Sequence, residues 1–173
     1  MAYLITGARV LSVQAPCSFS EKDVLVSDEG KIEKVSSSIK TAGADAEVIR
    51  ANGKILMPGL INTHTHAAMS LLRGMGDDLQ LHKWLSTQIW PREKKMTPAH
   101  VKAGTLLACA EFIRSGTTCF NDMYFHMDAT AEAAMQTLGV YERAQERLVY
   151  GENIAQTAQF VQTGSADIGI IAL

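Results

Sequence analysis

A chain of 173 residues is long enough for one domain, or two small ones, with a real core. Its 47% hydrophobic and 20% charged residues are ordinary for a globular protein, and a net charge of −2 gives no reason to expect nucleic acid or an anionic membrane as partner. No apolar run approaches the ~20 residues that a membrane helix needs.

Met1 to Arg9 lacks the basic and apolar regions and the cleavage site of a secretion signal. Cys17, Cys109 and Cys119 are odd in number and widely spaced, so neither a disulfide framework nor a thiolate metal site is indicated. The expected location is the cytoplasm.

Residues 1–55 read as short strands broken by turns. Leu4 to Val10 is one, and Asp23 to Ser27 alternates apolar and polar. Asp28-Glu29-Gly30 is a turn, Lys31 to Val35 alternates again, and Glu47 to Ala51 and Lys54-Ile55-Leu56 resume the extended pattern. Such a series suggests a small sheet or sandwich.

The next stretch carries chemistry. An apolar run from Ile55 to Ile61, punctuated by Pro58-Gly59, leads into Asn62-Thr63-His64-Thr65-His66. Residues i and i+2 of a strand point to the same face, so His64 and His66 can aim both imidazoles at one point beyond the strand's end. Neutral imidazole suits zinc, iron or nickel. The run is apolar on both faces, as a buried parallel strand should be. Its C-terminal end is where sites collect in barrels and open α/β sheets. Two ordinary polar residues at a strand end are the alternative reading.

Beyond the histidines, Ala67 to Arg73 reads as helix and stops at Gly74-Met75-Gly76. Leu79 to Ile89 is helical in pattern, with Pro91 expected to end it. Thr97-Pro98 is a good helix start, and Gly116 a good stop. Between them Val101, Thr105, Ala108 and Phe112 form an apolar stripe fit to pack on a sheet. Thr117 to Met123 reads as the following strand, and Ala129 to Thr137 as another helix. Strand, helices, strand implies a parallel α/β arrangement. His82 and His100 are expected to be surface or packing residues; His126 follows the second strand's end and could face the same mouth as His64 and His66, a solvated loop histidine being the alternative reading.

Two stretches carry a resemblance. Gly53 to Gly74, which includes Met57-Pro58-Gly59-Leu60-Ile61-Asn62-Thr63-His64-Thr65-His66, resembles the first barrel strand of the amidohydrolase superfamily. More narrowly, it resembles the 5-methylthioadenosine/S-adenosylhomocysteine deaminases and related chlorohydrolases. Gly116 to Tyr124 resembles the second barrel strand of the same deaminases.

The resemblance implies an N-terminal β-sandwich part over 1–55 and the first units of a (β/α)8 barrel over 56–137. It implies a divalent metal, zinc ahead of iron or nickel, with His64 and His66 as two ligands. Trp84 falls where these deaminases place an aromatic against the substrate's base, and Glu93 where they place a carboxylate for the ribose hydroxyls. The chemistry implied is hydrolytic removal of an amino group from an adenosine thioether such as methylthioadenosine or S-adenosylhomocysteine. The same opening motifs also serve triazine and guanine hydrolases.

The family's further ligands, two histidines and an aspartate, and its general-acid glutamate come from later strands, and no such motif is read here, so no catalytic residue is identified. Fewer than half of the roughly 250 residues of an eight-unit barrel follow position 55. The expectation is an incomplete barrel without turnover, with open sheet edges that invite self-association.

A second resemblance is expected from residue 138 on. Leu138 to Leu173 resembles the second lobe of a periplasmic molybdate-binding protein, an α/β fragment of periplasmic-binding-protein type. Asn153 is a good N-cap, and the backbone N–H of Ile154 would face an oxyanion. An ordinary capped helix and strand need no such ligand. On this reading the chain is a chimera joined near 130–139, and an oxyanion-binding lobe or an inactive chimeric scaffold are the alternative functions.

Overall fold

The computed structural model of the protein describes residues 1–14, 16–40 and 46–144. The chain divides into two compact units between Pro58 and Gly59. The first is built on β1 (Tyr3–Ser12), β2 (Ser18–Val26), β3 (Ile32–Ser36), β4 (Glu47–Arg50) and β5 (Ile55–Leu56). They form one sheet in the order β3-β2-β1-β4, with β5 also paired to β1. Where a sandwich part is expected, the described residues supply a single layer.

β1 pairs antiparallel with β2 and parallel with β4 and β5. Its ladder slips between Ile5 and Ala8, where Gly7 sits at φ +67°. Only glycine takes that conformation without strain, so the bulge is written into the sequence. The Asp23 carboxylate closes it: Oδ1 accepts the Gly7 N–H at 3.0 Å, and Oδ2 accepts the Ile39 N–H at 2.9 Å. The core of this unit is Leu4, Ala8, Val24, Ile39 and Ala51.

The second unit begins at Gly59 with β6 (Leu60–Thr65), followed at once by a 3₁₀ helix, Ala67–Leu72. Next come α1 (Leu81–Trp84), a π-helical stretch (Leu85–Ile89), α2 (Trp90–Glu93), α3 (Pro98–Ser115), β7 (Thr117–Asp122), α4 (Met127–Thr137) and α5 (Tyr141–Ala144). β6 and β7 pair in parallel, from Leu60 opposite Thr117 to Thr65 opposite Asp122. α3 packs on the 3₁₀ helix, on β7 and on α4.

α3 starts and stops where its caps predict. The Thr97 N–H donates to His100 Nδ1 at 3.1 Å, which gives His100 a capping role, and Gly116 takes the left-handed cap at φ +81°. Val101, Thr105 and Ala108 are buried as the stripe predicts, while Phe112 is half-buried with its ring 5.0 Å from that of Phe120 on β7. Gly104 lets α3 approach closely. A Cβ there would lie 2.5 Å from the Ala68 carbonyl oxygen, and the Ser70 hydroxyl donates to the Gly104 carbonyl at 2.7 Å.

Two expectations need correction. Pro91 does not end its helix; winding continues to Glu93. The Trp90 N–H donates to the Leu85 carbonyl, and this wider π turn makes room just before the proline ring.

The apolar run Ile55 to Ile61 is not one buried strand. Ile55–Leu56 belongs to the first sheet and Leu60–Thr65 to the second, with Met57-Pro58-Gly59 between them. Ile61 is 69% exposed, because among the described residues β6 has one strand neighbour only. No helix among the described residues is long and apolar enough to cross a membrane.

Candidate metal centre

β6 delivers both histidines to its tip. Asn62 helps to shape the turn-off: its Oδ1 accepts the His64 N–H at 3.2 Å. The His64 and His66 rings then lie with centroids 5.1 Å apart and planes at 81°. Two imidazoles on one tetrahedral zinc, with Zn–N near 2.0–2.1 Å, have centroids about 5 Å apart. The observed spacing fits that demand.

The aim of His66 is set from β7. Its Nδ1 lies 2.5 Å from the Met123 carbonyl oxygen, which can only accept, so the proton sits on Nδ1. Nε2 is left with a bare lone pair, the form a metal requires. The next residue is held as well, since the Ala67 N–H donates to Asp122 Oδ1 at 2.9 Å. Asp122 is 5% exposed, and its Oδ2 is buried without a hydrogen-bond partner among the described residues. Burial pushes its carboxyl above the ordinary value, against the pull of the Ala67 amide.

Trp84 shares a pocket of about 540 Å³ with Thr65, His66, Ala67 and Met75. Its indole N–H donates to the Met75 carbonyl at 2.6 Å, which fixes the ring as part of the wall. Glu93 does not line this pocket. It is bound instead by the Tyr124 hydroxyl, which donates to Oε1 at 2.9 Å, while the Tyr124 ring lies 6.2 Å from that of His66. Burial raises the Tyr124 phenol above its ordinary value, and the Glu93 carboxylate adds to the rise.

The structure therefore sets His64 against His66, puts His66 and Trp84 on one pocket that His64 does not line, and connects Glu93 to His66 through Tyr124. His82 and His126 are exposed and line no part of this pocket; His126 precedes α4 in a left-handed conformation, φ +52°. Ile154 lies outside the described residues. Among the described residues no group of three histidine, cysteine or acidic side chains gathers that could hold a metal ion. The two imidazoles fit half of such a site.

Sequence reasoning missed three supports: Asp122, the Met123 carbonyl and Tyr124. The signal was a carboxylate at the last position of the strand that follows the histidines' strand in the same parallel α/β order.

The model of the amidohydrolase family matches residues 55–160. A 5'-deoxyadenosine deaminase of Methanosarcina mazei is 50% identical over 130 residues, 75% of this chain and 30% of that protein. A 5-methylthioadenosine/S-adenosylhomocysteine deaminase of Desulforamulus reducens is 42% identical over 165 residues, 88% of this chain and 38% of that protein. An adenosine deaminase from Xanthomonas campestris, solved with bound zinc, superposes with a TM-score of 0.71 at 31% identity, covering 98% of this chain and 41% of that one. The chain thus spans 30% and 38% of the length of these two relatives.

The family match runs on through 138–160, across the expected join and into the stretch expected to resemble a molybdate-binding lobe. Nothing supports that second resemblance or a periplasmic-binding-protein fragment, and its residues from 145 on lie outside the described ones. With histidines paired at a barrel-strand tip and a match over more than half its length, the chain belongs to the amidohydrolase family.

Proposed function

We propose that this chain supplies the first two metal ligands and one wall of the substrate pocket of a hydrolytic deaminase acting on adenine nucleosides. The substrate class is that named for its relatives, 5'-deoxyadenosine and its thioethers. The observation that carries the reading is the pairing of His64 and His66 at 5.1 Å, with the His66 Nδ1 proton spent on Met123.

A divalent metal, zinc first, supplies an activated water to such a reaction. The chain's own residues do the rest of what is visible here. His64 and His66 present two neutral nitrogens to a cation. Trp84 offers an indole face to a flat purine, and Glu93, held through one oxygen by Tyr124, keeps the other for a ribose hydroxyl. Proton transfer to the departing amine needs a carboxylate or histidine beyond these, so the chain by itself binds and does not turn over.

Zinc titration of the purified chain, with an ammonia-release assay on 5'-methylthioadenosine, tests this. The expected result is one zinc per chain, lost in His64→Ala and in His66→Ala, and no ammonia. Zinc binding unchanged in both variants, or robust turnover, overturns the reading.

A further inference from the structure

Asp122 is the one carboxyl side chain that is buried among the described residues. It ends β7 opposite Thr65, beside the two histidines' strand tip. Three hydrogen bonds knit the two strand ends together there. The Met123 N–H donates to the Thr65 carbonyl at 3.1 Å, His66 Nδ1 to the Met123 carbonyl at 2.5 Å, and the Ala67 N–H to Asp122 Oδ1 at 2.9 Å. Thr65, His66 and Ala67 are thus each fastened to Asp122 or Met123.

The second carboxylate oxygen is the informative one. Oδ2 is buried and has no hydrogen-bond partner among the described residues, although the Met123 amide and the Thr130 hydroxyl join the Ala67 amide in favouring the ionised carboxyl. An asparagine or a serine would meet the Ala67 amide with no buried charge. A carboxylate kept out of water at this cost has a use for its charge, and the nearest group that gains is an imidazole pair which must attract a dication.

We infer that Asp122 is a positioning residue for the metal centre: through Ala67 it holds His66 with Nδ1–H on Met123 and Nε2 bare, and its negative charge strengthens the pair's hold on a divalent cation. This rests on the reading of His64 and His66 as metal ligands. Groups that hydrogen-bond a ligating imidazole directly, as the Met123 carbonyl does here, are worth 10- to 100-fold in metal affinity, and Asp122 acts on that arrangement through Ala67.

The test compares the whole chain with Asp122→Asn and Asp122→Ala, by zinc titration and by nitrogen-15 NMR of the His66 ring without metal. Asn keeps an acceptor for Ala67 and removes the charge; Ala removes both. Expected for Asp122→Asn is an unchanged Nδ1–H tautomer with zinc bound about tenfold more weakly. Expected for Asp122→Ala is a mixed tautomer and a loss nearer 100-fold.

A residue that merely holds the fold lowers the melting temperature and moves neither reading in the folded protein. Zinc affinity within threefold of the parent in Asp122→Asn overturns the inference, and that variant decides the matter if Asp122→Ala does not fold. A parent chain that binds no zinc tells against the metal reading instead, and an Nδ1–H tautomer persisting in Asp122→Ala would then count against Asp122 separately.

Discussion

The Tyr124 hydroxyl donates to Glu93 Oε1 at 2.9 Å while also lying 3.3 Å from the Met96 sulfur. One half-buried phenol thus ties the segment after β7 to the end of α2, across the edge of the site. Removing it in Tyr124→Phe should cost about 1 kcal/mol, the net worth of a hydrogen bond, with some excess because the acceptor is charged. Urea unfolding at neutral pH measures it.

The same phenol makes an alkaline prediction. Its folded pKa is raised, by burial first and then by Glu93. A raised folded value means that its stabilisation is fully present below the unfolded pKa and is lost as pH rises beyond it. The parent protein should therefore lose stability above about pH 10. Tyr124→Phe should lose less over the same range, as melting temperatures taken across it would show.

Acid acts on the first unit through Asp23. The Gly7 and Ile39 amides hold its carboxyl below the ordinary carboxylate range. A depressed folded value means stabilisation that is present above the unfolded pKa and lost as pH falls through the folded one. Unfolding followed from pH 5 downward should show the parent weakening below about pH 4. Asp23→Asn should be weaker at neutral pH, having lost one acceptor for two amides, and flatter in acid.

Two glycines on α3 separate backbone strain from crowding. Gly116 sits at φ +81° with open space where a Cβ would go, so Gly116→Ala should cost only the left-handed conformation, about 1 kcal/mol. Gly104 has an ordinary helical backbone, but a Cβ added there would lie 2.5 Å from the Ala68 carbonyl oxygen. Gly104→Ala must push the 3₁₀ helix away and should cost about 1–3 kcal/mol. Because that helix begins one residue after His66, Gly104→Ala should also weaken zinc binding, whereas Gly116→Ala should not. Paired denaturation and zinc titrations check both.

Legibility in the sequence followed the range of the interaction. The Asp28–Gly30 turn, the Thr97 cap and the Gly116 stop are decided within a few residues and could be read directly. The histidine pair could be read too, since period two along a strand is a local rule. Asp122 could not, for nothing near it in the chain says that its carboxylate will be buried against an amide 55 positions away. Pro91 misled for a related reason, because the turn before it widened to accept the ring. Ile55 to Ile61 misled most, as one apolar run supplies strands to two different sheets.

Trp84 has already given away its only polar atom. With the indole hydrogen committed to Met75, the side chain can answer an incoming molecule only through its flat face. It can reward planarity and breadth, but it cannot tell an amino group from a carbonyl on the ring lying against it. Discrimination between such substituents has to come from elsewhere in the pocket, so replacing Trp84 by another flat aromatic should change how tightly heterocycles are held far more than which of them is preferred.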